Sequence, residues 1–294
     1  MATSYKHLIL SGGGVRGLYY LGFMNYYKEK LCEFTHFAGT SIGSLFVVAI
    51  ALGYTAEELE SHVTNLLDYN RVKSIKVFDF LENLGIDDGS KMEHFVKKMI
   101  RDKIGRKDIT FRELYEKYGK HITIPAVCVE DKDVVYFSTD TQPYMKVWKA
   151  IRMSMTVPFL FKPFLYKNKN YIDGGLKHNF PIDLYPSYLT LGIDIGGSPK
   201  ASAQLDVEEY IFSIVATITK TKVPITSQDM ILIDGSPNPE QPLSPFQPEI
   251  NETVIHDAIQ YGYQKTGEYL DRRKEEGIQY CRSFILELIE KIGN

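Results

Sequence analysis

A serine between two glycines is the residue whose setting most clearly indicates covalent chemistry. The motif Gly39-Thr40-Ser41-Ile42-Gly43 follows a short apolar segment at residues 34–38 and precedes a strongly apolar run that ends at residue 52. A G-x-S-x-G turn between a strand and a helix exposes a serine hydroxyl at the carboxyl end of the strand, and its glycines relieve crowding. The helix directs its positive amino end towards the reacting carbon. We therefore predict that Ser41 is a nucleophile and that Gly39 and Gly43 shape its turn.

A glycine-rich segment, Ser11-Gly12-Gly13-Gly14-Val15-Arg16-Gly17, follows the first strand candidate and opens a helical segment at residues 16–30. Exposed amides near a helix start bind anions, either the pyrophosphate of a dinucleotide or the oxyanion of a tetrahedral intermediate. A dinucleotide site would have an acidic residue at the end of the second strand, where this chain has its serine turn. We therefore predict that Gly12, Gly13 and Gly14 donate to an oxyanion and that Gly17 supports the turn.

A nucleophilic serine requires a base to accept its proton, and the chain offers two kinds of candidate. Its seven histidines allow a Ser-His-Asp triad, and a late histidine, His178 or His256, would match the chain order of α/β-hydrolases. Nothing around either histidine distinguishes it from a surface residue. Asp173 follows a short strand candidate and precedes Gly174-Gly175. We favour Asp173, although two other Asp-Gly pairs show that the dipeptide alone is typical of turns.

These motifs, taken together and in this order, resemble those of the patatin-like phospholipases. The resemblance covers about residues 6–197 and includes SGGGVRG, GTSIG and DGG, with support from AIRMSMTVPFLFKP at residues 150–163 and from DGGLKHNFP around Asp173. It implies a three-layer α/β/α fold with a mostly parallel central sheet. It also implies a Ser41–Asp173 dyad without histidine, the motif glycines Gly174 and Gly175, and hydrolysis of lipid esters through an acyl-enzyme with neither cofactor nor metal.

Several functional alternatives stay open at this point. The resemblance implies a phospholipase A or a lysophospholipase, but an acylglycerol or galactolipid lipase is compatible with the same motifs. A lipid-binding relative without turnover and a dinucleotide-binding oxidoreductase are the other candidates. For Arg16 three roles remain: it anchors the glycine loop, contacts a lipid phosphate, or is solvated at a helix start.

Composition narrows the classes of partner. The 294 residues are 44% hydrophobic and 24% charged, and the net charge of -3 argues against a general nucleic-acid binder. The three cysteines are far apart and lack the spacing of metal ligands, which is typical of a cytoplasmic protein with reduced thiols. The longest apolar run, residues 45–52, is too short to span a bilayer. We expect a lipid substrate and peripheral contact with a membrane or lipid aggregate, while the oligomeric state is not indicated.

The extent of the resemblance implies one catalytic domain at residues 6–197. The change of character beyond it predicts a C-terminal extension at residues 198–294, with helices and a proline-rich loop packed on the same domain as a helical cap. Strand, glycine turn and helix occur twice in succession, which is typical of a sheet covered by helices. Hairpins are predicted at residues 122–138 and 164–172. Helices are predicted at residues 90–104, 111–118, 145–153, 207–219, 252–270 and 278–292. The aromatic segments 78–81 and 158–161 are predicted to lie in loops that line an acyl channel, touch a membrane or belong to the core.

Overall fold

The computed structural model describes residues 5–68, 84–196, 217, 230–233, 236–237, 243–244 and 250–292. Its strands are β1 (His7–Leu10), β2 (His36–Gly39), β3 (Gly85–Asp87), β4 (His121–Cys128), β5 (Asp133–Ser138), β6 (Phe159–Phe161), β7 (Phe164–Tyr166), β8 (Lys169–Asp173), β9 (Thr190–Asp194) and β10 (Met230–Leu232). Its α-helices are α1 (Leu18–Tyr26), α2 (Ile42–Ala51), α3 (Ala56–Asp68), α4 (Ser90–Ile104), α5 (Phe111–Tyr118), α6 (Val147–Ser154), α7 (Gly175–His178) and α8 (Glu252–Ile292). Short 3-10 helices span Gly14–Gly17, Lys28–Glu33, Ile182–Leu184 and Ser187–Leu189.

Among the described residues, the central sheet has eight strands in the order β10-β9-β1-β2-β4-β8-β7, with β5 paired to β4. Strands β10, β9, β1, β2 and β4 are parallel, whereas β5 and β8 run antiparallel to β4. The parallel strands alternate with helices along the chain, which places the helices on the faces of the sheet. The predicted α/β class with a mostly parallel sheet is therefore confirmed.

Strand β4 brings the ends of two other strands together. Strand β5 pairs along β4 from Thr123 to Cys128 and occupies one side of it. The other side pairs first with β2, through Ala38 opposite Thr123, and then with β8, through Asp173 opposite Ala126. Since β2 is parallel and β8 antiparallel to β4, their carboxyl ends point towards each other, and the residues that follow them meet.

Helix α2 lies at the centre of the core. All ten of its residues are buried, as expected for a helix that is apolar on every side. It belongs to the same hydrophobic cluster as residues of β1, α1 and α4. Each large apolar side chain buried there contributes roughly 1.5 to 3 kcal/mol, so the first turn of α2 has a rigid support.

Helix α8 differs from the prediction of two C-terminal helices, because residues 252–270 and 278–292 belong to one continuous helix. The glycine between them, Gly277, costs a helix only about 1 kcal/mol and does not end it. Near its amino end α8 crosses α1 at very short range: a Cβ on Gly262 would lie 2.2 Å from the carbonyl oxygen of Tyr19. Ala258 and Ile259 share the main core. The domain boundary at residue 197 stays a prediction.

Three further predictions need correction. Residues 159–161 form strand β6, which pairs with β3 in a separate parallel sheet, rather than a loop. The second hairpin has a two-residue turn at Lys167 and Asn168, both with positive φ, so its return strand begins at Lys169. The helix predicted at residues 16–30 is α1 between two 3-10 segments.

The segment 78–81 lies outside the described residues, as do nearly all of the predicted helix 207–219 and most of the proline-rich loop. No helix in the described ranges has both the length and the apolar character needed to cross a membrane.

Three histidines stand in register where three adjacent parallel strands begin: His7 pairs with His36, and His36 with His121. The rings of His36 and His121 are stacked with their centroids 4.6 Å apart, and those of His7 and His36 are 5.0 Å apart. Burial, followed by the charge of the neighbouring histidine, lowers the pKa of both His7 and His36. Protonation of His7 and His36 is therefore disfavoured in the folded protein.

We predict that His36→Gln makes the protein less sensitive to acid. A histidine whose pKa is lowered on folding binds its proton first in the unfolded chain, so stability is lost as the pH falls below about 6.5. Urea unfolding at several pH values should give wild-type protein a steeper loss of the free energy of unfolding below this pH than His36→Gln. Equal slopes for the two proteins would contradict the prediction. His256→Gln is the control, because His256 is exposed on α8.

Candidate active site

The serine turn forms as predicted, with Ser41 between the end of β2 and the start of α2. Ser41 has φ 52° and ψ −126°, a strained conformation for a residue with a side chain. The turn packs directly onto the glycine loop, since a Cβ on Gly43 would lie 2.5 Å from the carbonyl oxygen of Leu10. A Cβ on Gly39 would lie 2.4 Å from the carbonyl oxygen of Gly43. Both glycines are therefore required by close backbone contact.

Asp173 is the last residue of β8 and is only 5% exposed. Its carboxylate accepts a hydrogen bond from the amide of Gly175 at 2.7 Å, and the Ser41 hydroxyl lies close enough to favour its charged form. Burial raises the pKa of Asp173 to about 7, because the loss of hydration outweighs these two interactions. The structure thus brings together the two side chains that the sequence placed far apart, and one of them can exchange a proton near neutral pH.

The glycine loop lies beside Ser41, since a Cβ on Gly12 would lie 3.1 Å from the Cβ of Ser41. The amide of Gly12 donates to the carbonyl of Asn179 at 3.1 Å and is therefore already engaged. For the amides of Gly13 and Gly14 the described residues supply no acceptor. Of the three predicted oxyanion donors, Gly13 and Gly14 remain as candidates, and Gly12 has a structural contact instead.

Asn179 connects the glycine loop to the segment that carries Asp173, a role the sequence did not reveal. Besides the contact through its carbonyl, its side-chain nitrogen donates to the carbonyl of Gly12 at 3.3 Å. Its side-chain oxygen lies so close to Gly12 and Gly175 that a Cβ on either would come within 3 Å. The only available signal was its place in DGGLKHNFP, which says nothing about the partner.

The remaining motif residues hold the loops in position. Arg16 is 2% exposed and donates to the carbonyl of Leu243 at 2.8 Å, so it anchors the loop and is neither solvated nor placed to meet a phosphate. A Cβ on Gly17 would lie 2.5 Å from the side chain of Ile42, which shows how closely the loop packs on α2. A Cβ on Gly174 would lie 2.3 Å from the carbonyl oxygen of Pro125 on β4.

The two late histidines do not contact Ser41. His178 is not the surface residue that the sequence indicated, because its side chain is only 14% exposed. Its Nδ1 lies 2.7 Å from the Tyr136 hydroxyl and its Nε2 2.9 Å from the Asp183 carboxylate. Both ring nitrogens are thus occupied. His256 is exposed on α8, as expected. Within the described part of the chain, no cluster of three or more histidine, cysteine or acidic side chains is arranged to hold a metal ion.

Sequence comparison finds relatives of this chain among proteins named as lipid hydrolases. The chain is 33% identical over 189 residues to the probable lipid hydrolase 463L of Invertebrate iridescent virus 6. The matched region covers 63% of this chain and 64% of that protein. It is 30% identical over 242 residues to an intracellular phospholipase A2 of Caenorhabditis elegans, covering 77% of this chain and 20% of that protein. The chain therefore spans less than two thirds of the length of both relatives.

A solved structure has the same fold. The crystal structure of VipD from Legionella pneumophila matches 92% of this chain and 67% of its own with a TM-score of 0.60, at 17% identity. The sequence model of the patatin-like phospholipases matches residues 8–185, well over half of the chain. The chain therefore belongs to the patatin-like phospholipase family.

Proposed function

We propose that this protein is a lipid acyl hydrolase of the phospholipase A or lysophospholipase type, with Ser41 as nucleophile and Asp173 as base. The observation that carries the proposal is the closeness of the Ser41 hydroxyl to the buried carboxylate of Asp173. Two amides without an acceptor among the described residues, those of Gly13 and Gly14, lie in the loop beside Ser41. The names of the viral and nematode relatives support a lipid substrate.

The reaction takes two steps in this proposal. Asp173 accepts the Ser41 proton as the serine oxygen attacks the ester carbonyl, and it returns that proton to the leaving alcohol. A water molecule then hydrolyses the acyl-enzyme while Asp173 accepts and returns a proton again. A base with a pKa of about 7 is well matched to this exchange at neutral pH, because it is both available as a carboxylate and basic enough to accept the proton.

The developing negative charge needs donors that are fixed before the reaction begins. The amides of Gly13 and Gly14 serve this purpose, and the amino end of α2 adds a favourable dipole at Ser41. The loop that carries these amides is held by Asn179 on one side and by the buried Arg16 on the other. Such donors stabilise the transition state without having to reorganise.

The same chemistry would hydrolyse other classes of lipid ester. A neutral acylglycerol is the second candidate, because some relatives are named triacylglycerol lipases. One of them is the triacylglycerol lipase 4 of Saccharomyces cerevisiae, which is 28% identical to this chain over 204 residues. A galactolipid would undergo the same ester chemistry. We propose that the protein meets any of these lipids by peripheral contact with a membrane or a lipid aggregate.

A lipid panel decides between these substrates. Purified protein is incubated with phosphatidylcholine, lysophosphatidylcholine, triacylglycerol and galactolipid, and the products are identified by mass spectrometry. We expect free fatty acid from the phospholipid or the lysophospholipid. Release from triacylglycerol alone would support the second candidate, and no release from any ester would contradict the proposed function.

We predict that kcat/KM for a water-soluble ester rises with pH around a midpoint of about 7, the pKa of Asp173. Only the carboxylate can accept the serine proton, so below the midpoint the rate should fall about tenfold per pH unit. The measurement is initial rates in a constant-ionic-strength buffer series. A midpoint near 4, the usual pKa of an aspartate, would mean that burial does not raise the pKa of the base.

A further inference from the structure

One short segment contacts the backbone of both Ser41 and Asp173. Helix α6 ends at Ser154, whose hydroxyl accepts a hydrogen bond from the amide of Ser41 at 2.9 Å. Two residues further, the carbonyl of Thr156 accepts one from the amide of Asp173 at 2.8 Å. The amides of both proposed dyad residues are therefore held by residues 154–156.

The contact at Ser154 meets a particular need of the serine turn. Because Ser41 has a strained backbone, surrounding contacts have to hold it in place. Its amide takes no part in the hydrogen bonds of α2, and Ser154, which is fully buried, supplies the acceptor. Even at this partly buried position, an amide that has lost its acceptor is disfavoured, so the position of Ser154 restricts the orientation of Ser41.

The segment is itself fixed from the opposite side by Arg152, which is 2% exposed. Its guanidinium donates to the Thr156 hydroxyl at 2.5 Å and to the carbonyls of Asp88 and Gly89 at 3.0 and 3.2 Å. The ring of Phe161 lies 5.4 Å from the guanidinium carbon. An arginine with this many fixed partners joins the end of α6 rigidly to the start of α4.

We propose that residues 154–156 act as a template that sets the separation of nucleophile and base, with Ser154 as a positioning residue. The proposal rests on the proposed function, because it takes Ser41 as the nucleophile and Asp173 as the base. Ser154 does not touch the reacting atoms. It acts through the amide of Ser41, and a displacement of the hydroxyl by about 1 Å can lower turnover about a hundredfold.

The test compares Ser154→Ala with wild type in steady-state hydrolysis of a water-soluble ester. We expect kcat to fall by about a hundredfold with KM changed less than about twofold, because orientation is lost and binding is not. Ser138→Ala is the matched control: Ser138 is also buried and accepts backbone hydrogen bonds from Asp140 and Thr141, but at the end of β5. It should retain wild-type kcat.

The pH profile separates positioning from a general loss of stability. The nearby Ser41 hydroxyl lowers the pKa of Asp173, so a misplaced serine should move the midpoint of kcat/KM to higher pH in Ser154→Ala. The midpoint should stay unchanged in Ser138→Ala. If Ser154→Ala does not fold, Ser154→Cys replaces it, since sulfur is a weak acceptor of similar size and should lower kcat by a smaller factor.

The outcomes distinguish the two proposals. A folded Ser154→Ala or Ser154→Cys protein with wild-type kcat and midpoint would overturn the positioning role, even if Ser41→Ala is inactive. Full activity of Ser41→Ala would instead refute the proposed function.

Discussion

Replacing Ser41 by alanine is expected to lower ester hydrolysis by at least about a thousandfold, because no acyl-enzyme can form without the hydroxyl. The fold should be retained, since alanine has no greater difficulty than serine with the positive φ at this position. The measurement is the initial rate with a water-soluble ester, together with the melting temperature.

His256→Ala is the control for this experiment, because its side chain is exposed on α8 and should be dispensable. If Ser41→Ala kept a substantial fraction of wild-type turnover while correctly folded, another nucleophile would carry the reaction. The strained serine turn would then be a structural feature only.

Replacing Asp173 by asparagine should also lower turnover by at least about a thousandfold, because an amide cannot accept the serine proton. The substitution nearly preserves volume, and the asparagine oxygen can still accept from the amide of Gly175. KM should change little. Turnover within about tenfold of wild type would show that Asp173 is not the base.

The same variant should reveal what the buried carboxylate costs in stability. Folding raises the pKa of Asp173 from 3.8 to about 7, so this residue favours the folded state below about pH 4 and loses that contribution as the pH rises to 7. At roughly 1.4 kcal/mol per pH unit, the free energy of unfolding of Asp173→Asn should exceed that of wild type by up to roughly 4 kcal/mol above pH 7. This difference should vanish in acid. Urea unfolding at pH 4 and pH 8 measures it. A smaller advantage at pH 8 than at pH 4 would contradict the assignment.

The sequence was sufficient to predict elements whose signals are local. The turn at Ser41 needs glycines in a fixed pattern, and α2 is apolar on every side, so both could be recognised without a structure. Helices α4 and α5 carry their own periodic pattern, and α5 begins at a capping box formed by Thr110 and Glu113. The pairing of Ser41 with Asp173 came from the family resemblance, not from spacing.

Contacts between distant residues could not be predicted. The amide of Gly12 was expected to face an oxyanion, but it donates to the carbonyl of Asn179, which is 167 positions away along the chain. Ser154 gave no signal, because its partner is a backbone amide more than a hundred positions away along the chain, at Ser41. His178 was assigned to the surface because Tyr136 and Asp183 approach it only in the folded protein.

The most direct test of the dyad is covalent labelling by a fluorophosphonate, with the modified residue identified by peptide mass spectrometry. The account predicts that wild type and His178→Ala are labelled at Ser41 at similar rates, whereas Asp173→Asn, correctly folded, is labelled very slowly. Rapid labelling of Asp173→Asn, or loss of labelling in folded His178→Ala, would contradict a reaction that depends on Ser41 and Asp173 without histidine.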